Sequence, residues 1–385
     1  MEKLLEYIAK ETRGKSFKSY KYCFDGIEVP SVIYDDNDNI TFKKFGETNS
    51  DYQKGSINLE QRVKKFNEQQ IPSLFKYFLD GTRRTYKVDD IAYPNNRIYP
   101  IVAGQIGVGV TVRENPESFK IKKFEKHLVL SLPDCADKDG KGTLFFNNLV
   151  SKINQHETLR NKNIQFNKIL SYEDSGDQEK YENKGIATIQ DEMIDLEKSI
   201  VKELAQKNLL NEDAYLIKDG SLEYAKVNTG NHRELSLLIN NYRRVIGVSK
   251  SFNPESCHDE RGKSNAKRIA DLKIYHRTPA YMYEASRVGD VRFAIWYLRI
   301  REAFRTASPF DGIIKIQKIL VTDDEQKNGL DSTEIDNISA NLINERNPVC
   351  YGNDNRWANH LYPIYLTERF LKSQYLSDIF FLNIF

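Results

Sequence analysis

The chain has 385 residues, 39 % of them hydrophobic and 29 % charged, and a formal net charge of only +2. Its 22 Tyr and 20 Phe exclude a disordered chain, which carries few aromatics and a large net charge. The near-neutral balance excludes a polycationic coat for nucleic acid, so any contact with DNA or RNA rests on a local basic patch.

Residues 1–55 alternate short apolar pieces with polar turns such as DDNDN at 35–39, and residues 58–70 read as a polar helix. LFKYFLDGTRR at 74–84 opens as an apolar and aromatic run and stops at Asp-Gly, the pattern of a strand ending in a turn. IYPIVAGQIGVGVTV at 98–112 predicts a second strand, antiparallel to the first and carrying a bend or bulge at its glycines. HLVLSLP at 127–133 predicts a third, stopped by proline. Residues 134–186 are polar, with a short amphipathic piece near 144–153 and a solvated loop at 174–185. A helical period runs through 188–206.

AYLIKDGSL at 214–222 is again a strand followed by Asp-Gly. A helix at 234–244 and a strand at 245–251 complete a βα alternation that implies parallel strands. After a charged loop at 253–268, strands are expected at 292–300 and 312–321, a helix at 331–346, and a turn and helix at the end. The reading is one elaborated α/β domain at 71–385, a mixed sheet flanked by helices with an insertion near 134–186. Residues 1–70 form an N-terminal extension suited, like the aromatic C-terminus, to dimer or partner contacts.

Cys23, Cys135, Cys257 and Cys350 are far apart, which argues against a zinc ribbon and for free thiols in a reducing compartment. No signal-peptide pattern opens the chain and no apolar stretch is long enough to span a bilayer, so a cytoplasmic protein is expected. There is no GxxxxGK[ST] phosphate loop and no GxSxG, and GQIGVG at 104–109 continues into strand residues rather than opening a helix. CHDE at 257–260 falls in a polar loop.

The chemistry suggested by the chain is that of carboxylates. Asp80 and Asp219 each follow an apolar strand, and carboxylates delivered to one sheet edge suit Mg²⁺ or Mn²⁺. At about 100° per residue, Met193, Ile200 and Leu204 share one helix face, with Glu197 near its centre and Glu192 and Glu203 toward its edge. A carboxylate in an apolar stripe needs a partner or a cation. Lys250, at the end of VIGVSK, is placed to hold a phosphate, as are Arg83 and Arg84. The run from 261 to 277 holds Arg261, Lys263, Lys267, Arg268, Lys273 and Arg277 around Tyr275, a pattern that suits tracking a nucleic-acid backbone.

FLDGTRR, DLEKSIVKELA, YLIKDGSL, VIGVSK and the late Tyr362-Pro363 pair resemble, in order and spacing, the motifs of the NurA nuclease family over roughly residues 74–372. The resemblance implies an RNase H-like, PIWI-like fold and Mn²⁺-dependent DNA hydrolysis by two metal ions. It further implies a homodimer working with a hexameric HerA-type ATPase that translocates DNA, in end processing or anti-phage defence. Asp80, Glu197 and Asp219 would then be metal ligands. The family's histidine eight positions after the motif tyrosine is replaced here by Phe370, leaving Glu368 or His360 as candidates for a fourth ligand. A chain that keeps the fold but binds DNA and the ATPase without efficient cleavage is the alternative.

Overall fold

The computed structural model describes residues 44–93, 97–137, 140–175, 180–223, 232–254, 257–258, 262–284, 291–302, 306, 308–350 and 357–385. The DDNDN turn, the rest of residues 1–43 including Cys23, Arg261, and Asp259 and Glu260 of CHDE lie outside the described residues. Strands β1 (Lys44–Phe45) and β2 (Ile57–Asn58) precede helix α1 (Glu60–Glu68). Three long strands follow, β3 (Phe75–Ala92), β4 (Ile98–Asn115) and β5 (Ser118–Pro133). Helices α2 (Thr143–Ile153) and α3 (Glu157–Asn161), strand β6 (Lys168–Tyr172) and the long helix α4 (Tyr181–Gln206) come next. Then β7 (Tyr215–Asp219), α5 (His232–Asn241), β8 (Val245–Ser249) and α6 (Ala266–Ala270) lead to β9 (His276–Arg277), β10 (Tyr281–Glu284), β11 (Arg292–Arg299) and β12 (Ile313–Ile319). The chain closes with α7 (Asp323–Asn328), α8 (Ser332–Asn344), α9 (Tyr362–Ser373) and α10 (Asp378–Leu382). Twelve strands, parallel and antiparallel, with flanking helices make this a mixed α/β protein among the described residues. No helix among them is long and apolar enough to cross a membrane.

The chain forms two compact units, Met1–Lys76 with Leu210–Tyr365, and Tyr77–Leu209 with Leu366–Phe385. In the first, the strand order is β1-β10-β11-β12-β8-β7, with β9 paired to β11 and β2 to β9. β7 and β8 are parallel, as the intervening helix predicts, while β8, β12, β11 and β10 alternate in direction. Helix α8 is capped by Asp331, whose carboxylate accepts from the Glu334 backbone N–H. Its Ile335, Ile338 and Leu342 are fully buried, each contributing about 1.5–3 kcal/mol. Ser339 on the same helix accepts a hydrogen bond from the buried Trp296 indole of β11 at 3.0 Å.

The second unit is a β3-β4-β5-β6 sheet. The three expected strands form a β3–β4–β5 meander; its β4–β5 register skips Lys122 of β5 beside Val110 and Glu114 of β4 near the hairpin end, so the irregularities do not fall at the glycines of β4. Two expectations are corrected here. The insertion near 134–186 supplies a strand, because Lys168–Tyr172 adds to the sheet edge parallel to β5. The solvated loop foreseen at 174–185 gives way at Tyr181, where α4 begins a full two turns early. Helix α2 forms where the amphipathic piece predicted it, and Phe146 joins Leu128, Leu130, Ile169 and Phe381 in one apolar core. Tyr362-Pro363 opens the helix expected near the end; the Tyr362 N–H donates to the Glu345 carbonyl at 2.8 Å, and Pro363 falls in the first turn, where a missing N–H costs nothing.

Candidate metal centre

Asp80 is not at a strand end. β3 runs straight through Asp80 and Gly81, which pair with Gly109 and Val108 of β4. The Asp-Gly signal is local, whereas the β-branched and aromatic residues after it have a long partner strand to pair with, and the ladder prevails over the turn. Alternate residues of a strand face opposite sides of the sheet. One side of β3 carries Asp80, Thr82, Arg84 and Tyr86 toward the C-terminal segment. There the Tyr375 hydroxyl donates to Thr82, and Arg84 and Tyr86 bind Asp378 at 2.9 and 2.7 Å. On the same side Thr111 of β4 shares a 2.7 Å hydrogen bond with Thr367 of α9.

The residue after Thr367 is Glu368, and it brings the chemistry to Asp80. Both carboxyl groups are buried, at 4 % and 8 % relative exposure, and they offer oxygen atoms within 4.8 Å of each other. Lys372, one turn further along α9, reaches Glu368 at 2.6 Å. Burial, reinforced by the nearby charge of Asp80, pushes the Tyr375 hydroxyl up to about 12, so it stays a neutral donor beside the pair. Tyr375 was not singled out from the sequence; only its place two turns past Glu368 hinted at a shared face. Two oxygen-rich, partly desolvated carboxylates at this spacing suit a hard divalent cation such as Mn²⁺ or Mg²⁺.

Glu197 is buried, as its place in the apolar stripe of α4 predicted. It lies on the other side of β3, however. A side chain at Gly81 would collide with the Glu197 carboxylate, and Arg83, two residues on, binds Gln190 of the same helix. Since Gly81 and Asp80 face opposite ways, the strand stands between Glu197 and the Asp80–Glu368 pair. Helical phasing identified the buried face correctly but carried no information about which side of the sheet that face covers. Glu192 and Glu203 on the same helix are tied to Lys168 and Lys123.

In the other unit Asp219 does close its strand, and Gly220 takes φ +84°, a turn conformation that favours glycine. The Lys250 ammonium lies 2.9 Å from the Asp219 carboxylate, and Lys218 donates to the Asp219 carbonyl at 2.7 Å. Lys250 therefore serves Asp219 directly, and Asn359 holds the Lys250 carbonyl at 2.6 Å. His360, the other candidate for a fourth ligand, is buried with its ring edge-on to Tyr365 at 5.7 Å. Phe370 packs edge-on against Phe124 at 5.3 Å, filling apolar space where the resemblance expects a histidine.

The basic residues divide sharply. Lys263 and Lys267 are exposed. Arg268 is committed to the Tyr281 hydroxyl and the Gly55 carbonyl at 2.9 and 3.1 Å. Arg277 is fully buried between Glu47 and Asp336, at 2.8 and 2.7 Å, so it belongs to the core and not to a basic surface. Tyr275 lies beneath the Arg346 guanidinium. A charge run read along the chain cannot show which members turn inward. No model of a known protein family matches this chain, and no curated protein does.

Proposed function

We propose that this protein is a divalent-metal-dependent nuclease acting on DNA, with Asp80 and Glu368 as carboxylate ligands; Asp219 is the ligand that the resemblance in the motifs implies. The observation that carries this reading is the convergence of the buried Asp80 and Glu368 oxygens within 4.8 Å. A pair of like charges held that close, away from water, is costly unless answered by positive charge; Lys372 answers Glu368 at 2.6 Å, and a divalent cation would answer both carboxylates at once. The mixed sheet, the parallel strands bearing DGSL and GVSK, and the order of the motifs support the finer assignment to an RNase H-like fold. When bound, Mn²⁺ or Mg²⁺ would lower the pKa of an attacking water and neutralise charge on the leaving oxygen. The chain's own part is to hold the carboxylates rigidly, to keep Tyr375 as a neutral donor beside them, and to offer Lys263 and Lys267 to phosphates. A homodimer working with a HerA-type ATPase is the setting that the resemblance in the motifs implies.

The test is cleavage of linear single- and double-stranded DNA, and of RNA, by the full chain in Mn²⁺, with and without chelator. Asp80→Ala, Glu368→Ala and Asp219→Ala should each abolish cleavage while leaving binding to DNA in place. Wild-type protein that cuts none of these substrates, or variants that cut as well as wild type, would overturn the nuclease reading. A DNA-binding adaptor is the second reading, favoured by Phe370 lying in an aromatic pair where the resemblance expects a histidine. Tight DNA binding without cleavage in the wild type would establish it.

A further inference from the structure

The turn that carries Asp219 is held from behind by one buried side chain. Gln317 sits in the middle of β12 with no exposed surface, opposite Gly247 of β8. Its carboxamide oxygen accepts from the Ser221 hydroxyl at 2.9 Å and from the Leu222 backbone N–H at 3.1 Å. Its amide nitrogen donates to the Glu223 carboxylate at 2.6 Å and to the Tyr283 hydroxyl. Two acceptor sites and two donors are all that a carboxamide has, and all four are used. The orientation is unambiguous, because a backbone N–H can only donate and a carboxylate can only accept.

The surroundings are cut to this contact. A side chain on Gly247 would approach the Leu222 side chain to 2.7 Å and the Gly220 carbonyl to 3.0 Å, so only glycine there lets the turn lie down over β8. The Gly220 N–H then reaches the Val248 carbonyl at 2.8 Å. Burial and the Glu223 charge push the Tyr283 hydroxyl far up, so it remains a donor, and it donates to Glu223. The three residues that follow Asp219-Gly220 are thus pinned to a side chain from a distant strand.

We infer that Gln317 is a positioning residue for Asp219, fixing the Asp219-Gly220 turn so that the carboxylate is presented in one geometry. This rests on the metal reading of Asp219 proposed above. Residues of this kind orient a ligand without touching the ion, and their loss typically weakens metal use about 10- to 100-fold.

The experiment compares wild type, Gln317→Leu and Gln317→Glu. Cleavage of linear DNA is measured against Mn²⁺ concentration and against pH, together with hydrogen exchange at the Gly220 and Leu222 amides. In Gln317→Leu the Mn²⁺ midpoint should rise about tenfold with KM for DNA unchanged, and both amides should exchange faster while those of β11 do not. Gln317→Glu sets two carboxylates side by side, so it should regain activity as pH falls from about 8 to about 6, when the pair can share a proton. Gln317→Leu should show no such recovery. A wild-type Mn²⁺ midpoint in Gln317→Leu, or the same pH-independent deficit in both variants with a raised KM, would overturn the inference. A wild type that neither binds nor uses Mn²⁺ overturns the metal reading instead. The anchoring then stands if the two amides exchange faster in Gln317→Leu and falls if they do not.

Discussion

The carboxylates of Asp80 and Glu368 lie within 4.8 Å of each other although one sits in the middle of a strand and the other on a helix near the C-terminus. Their juxtaposition depends on the side of β3 that α9 covers. Thr111–Thr367 and Tyr375–Thr82 hold that helix segment in place on either side of the pair.

Substituting one carboxylate should therefore separate metal binding from folding. Asp80→Asn removes one of two like charges, so its melting temperature without metal should equal or exceed that of wild type. Saturating Mn²⁺ should stabilise wild type by about 2.7 kcal/mol at a hundredfold excess over Kd and leave Asp80→Asn unmoved. Thermal unfolding with and without Mn²⁺ measures both. Equal stabilisation of the two proteins would remove Asp80 from the ligand set.

The buried Lys250 ammonium already neutralises Asp219 at 2.9 Å. Lys250→Met should destabilise the protein, by up to about 3–5 kcal/mol if Asp219 stays charged, since an ion pair broken on one side leaves an uncompensated charge. Mn²⁺ should recover more stability in this variant than in wild type, because the cation takes over the partner lost. Denaturant titrations in chelator and in Mn²⁺ check this, and equal recovery would mean that Asp219 takes no part in binding the ion.

Arg277 and the pair Lys263 and Lys267 should behave oppositely. Arg277→Met should cost about 3–5 kcal/mol in stability, because Glu47 and Asp336 lose their buried counter-charge. Lys263→Ala and Lys267→Ala should leave stability unchanged and weaken DNA binding, each lowering the slope of log K against log salt by about 1. Fluorescence anisotropy at several salt concentrations reads the slope directly. An unchanged slope in the double variant would place the DNA track elsewhere.

Glu203 provides an acid-limb prediction. Hydrogen bonds from Lys123 and Lys207 lower its carboxyl from 4.5 to about 2. A depressed pKa stabilises the folded state above the ordinary value and ceases to do so as pH falls through the folded one. The stability advantage of wild type over Lys123→Ala should accordingly be full at neutral pH and fade between pH 4.5 and about 2. Urea midpoints across that range test it, and a difference that persists at the acid end would assign the effect to packing.

Much of the architecture was legible because it is written in local pattern. The apolar periods of α4 and α8, the β-branched runs of β4, β7, β8, β11 and β12, and the Asp219-Gly220 turn all correspond to what neighbouring residues dictate. Strand β6 was not legible, since KILSY is too short to stand out among the polar residues of the insertion and becomes a strand only on meeting the edge of β5. The strand through Asp80-Gly81 was missed because turn chemistry competes locally, while the β4 partner that overrides it lies further along the chain.

By itself the amino-acid sequence determined the apolar face of the periodic elements and that one carboxylate, Glu197, is buried in such a face. The tertiary structure alone decided which carboxylates meet. A helix period identifies a buried face but not the side of the sheet it covers, and strand alternation sends Asp80 and Gly81 to opposite sides. Glu368 consequently joins Asp80, while Glu197 is kept from it by the thickness of one strand.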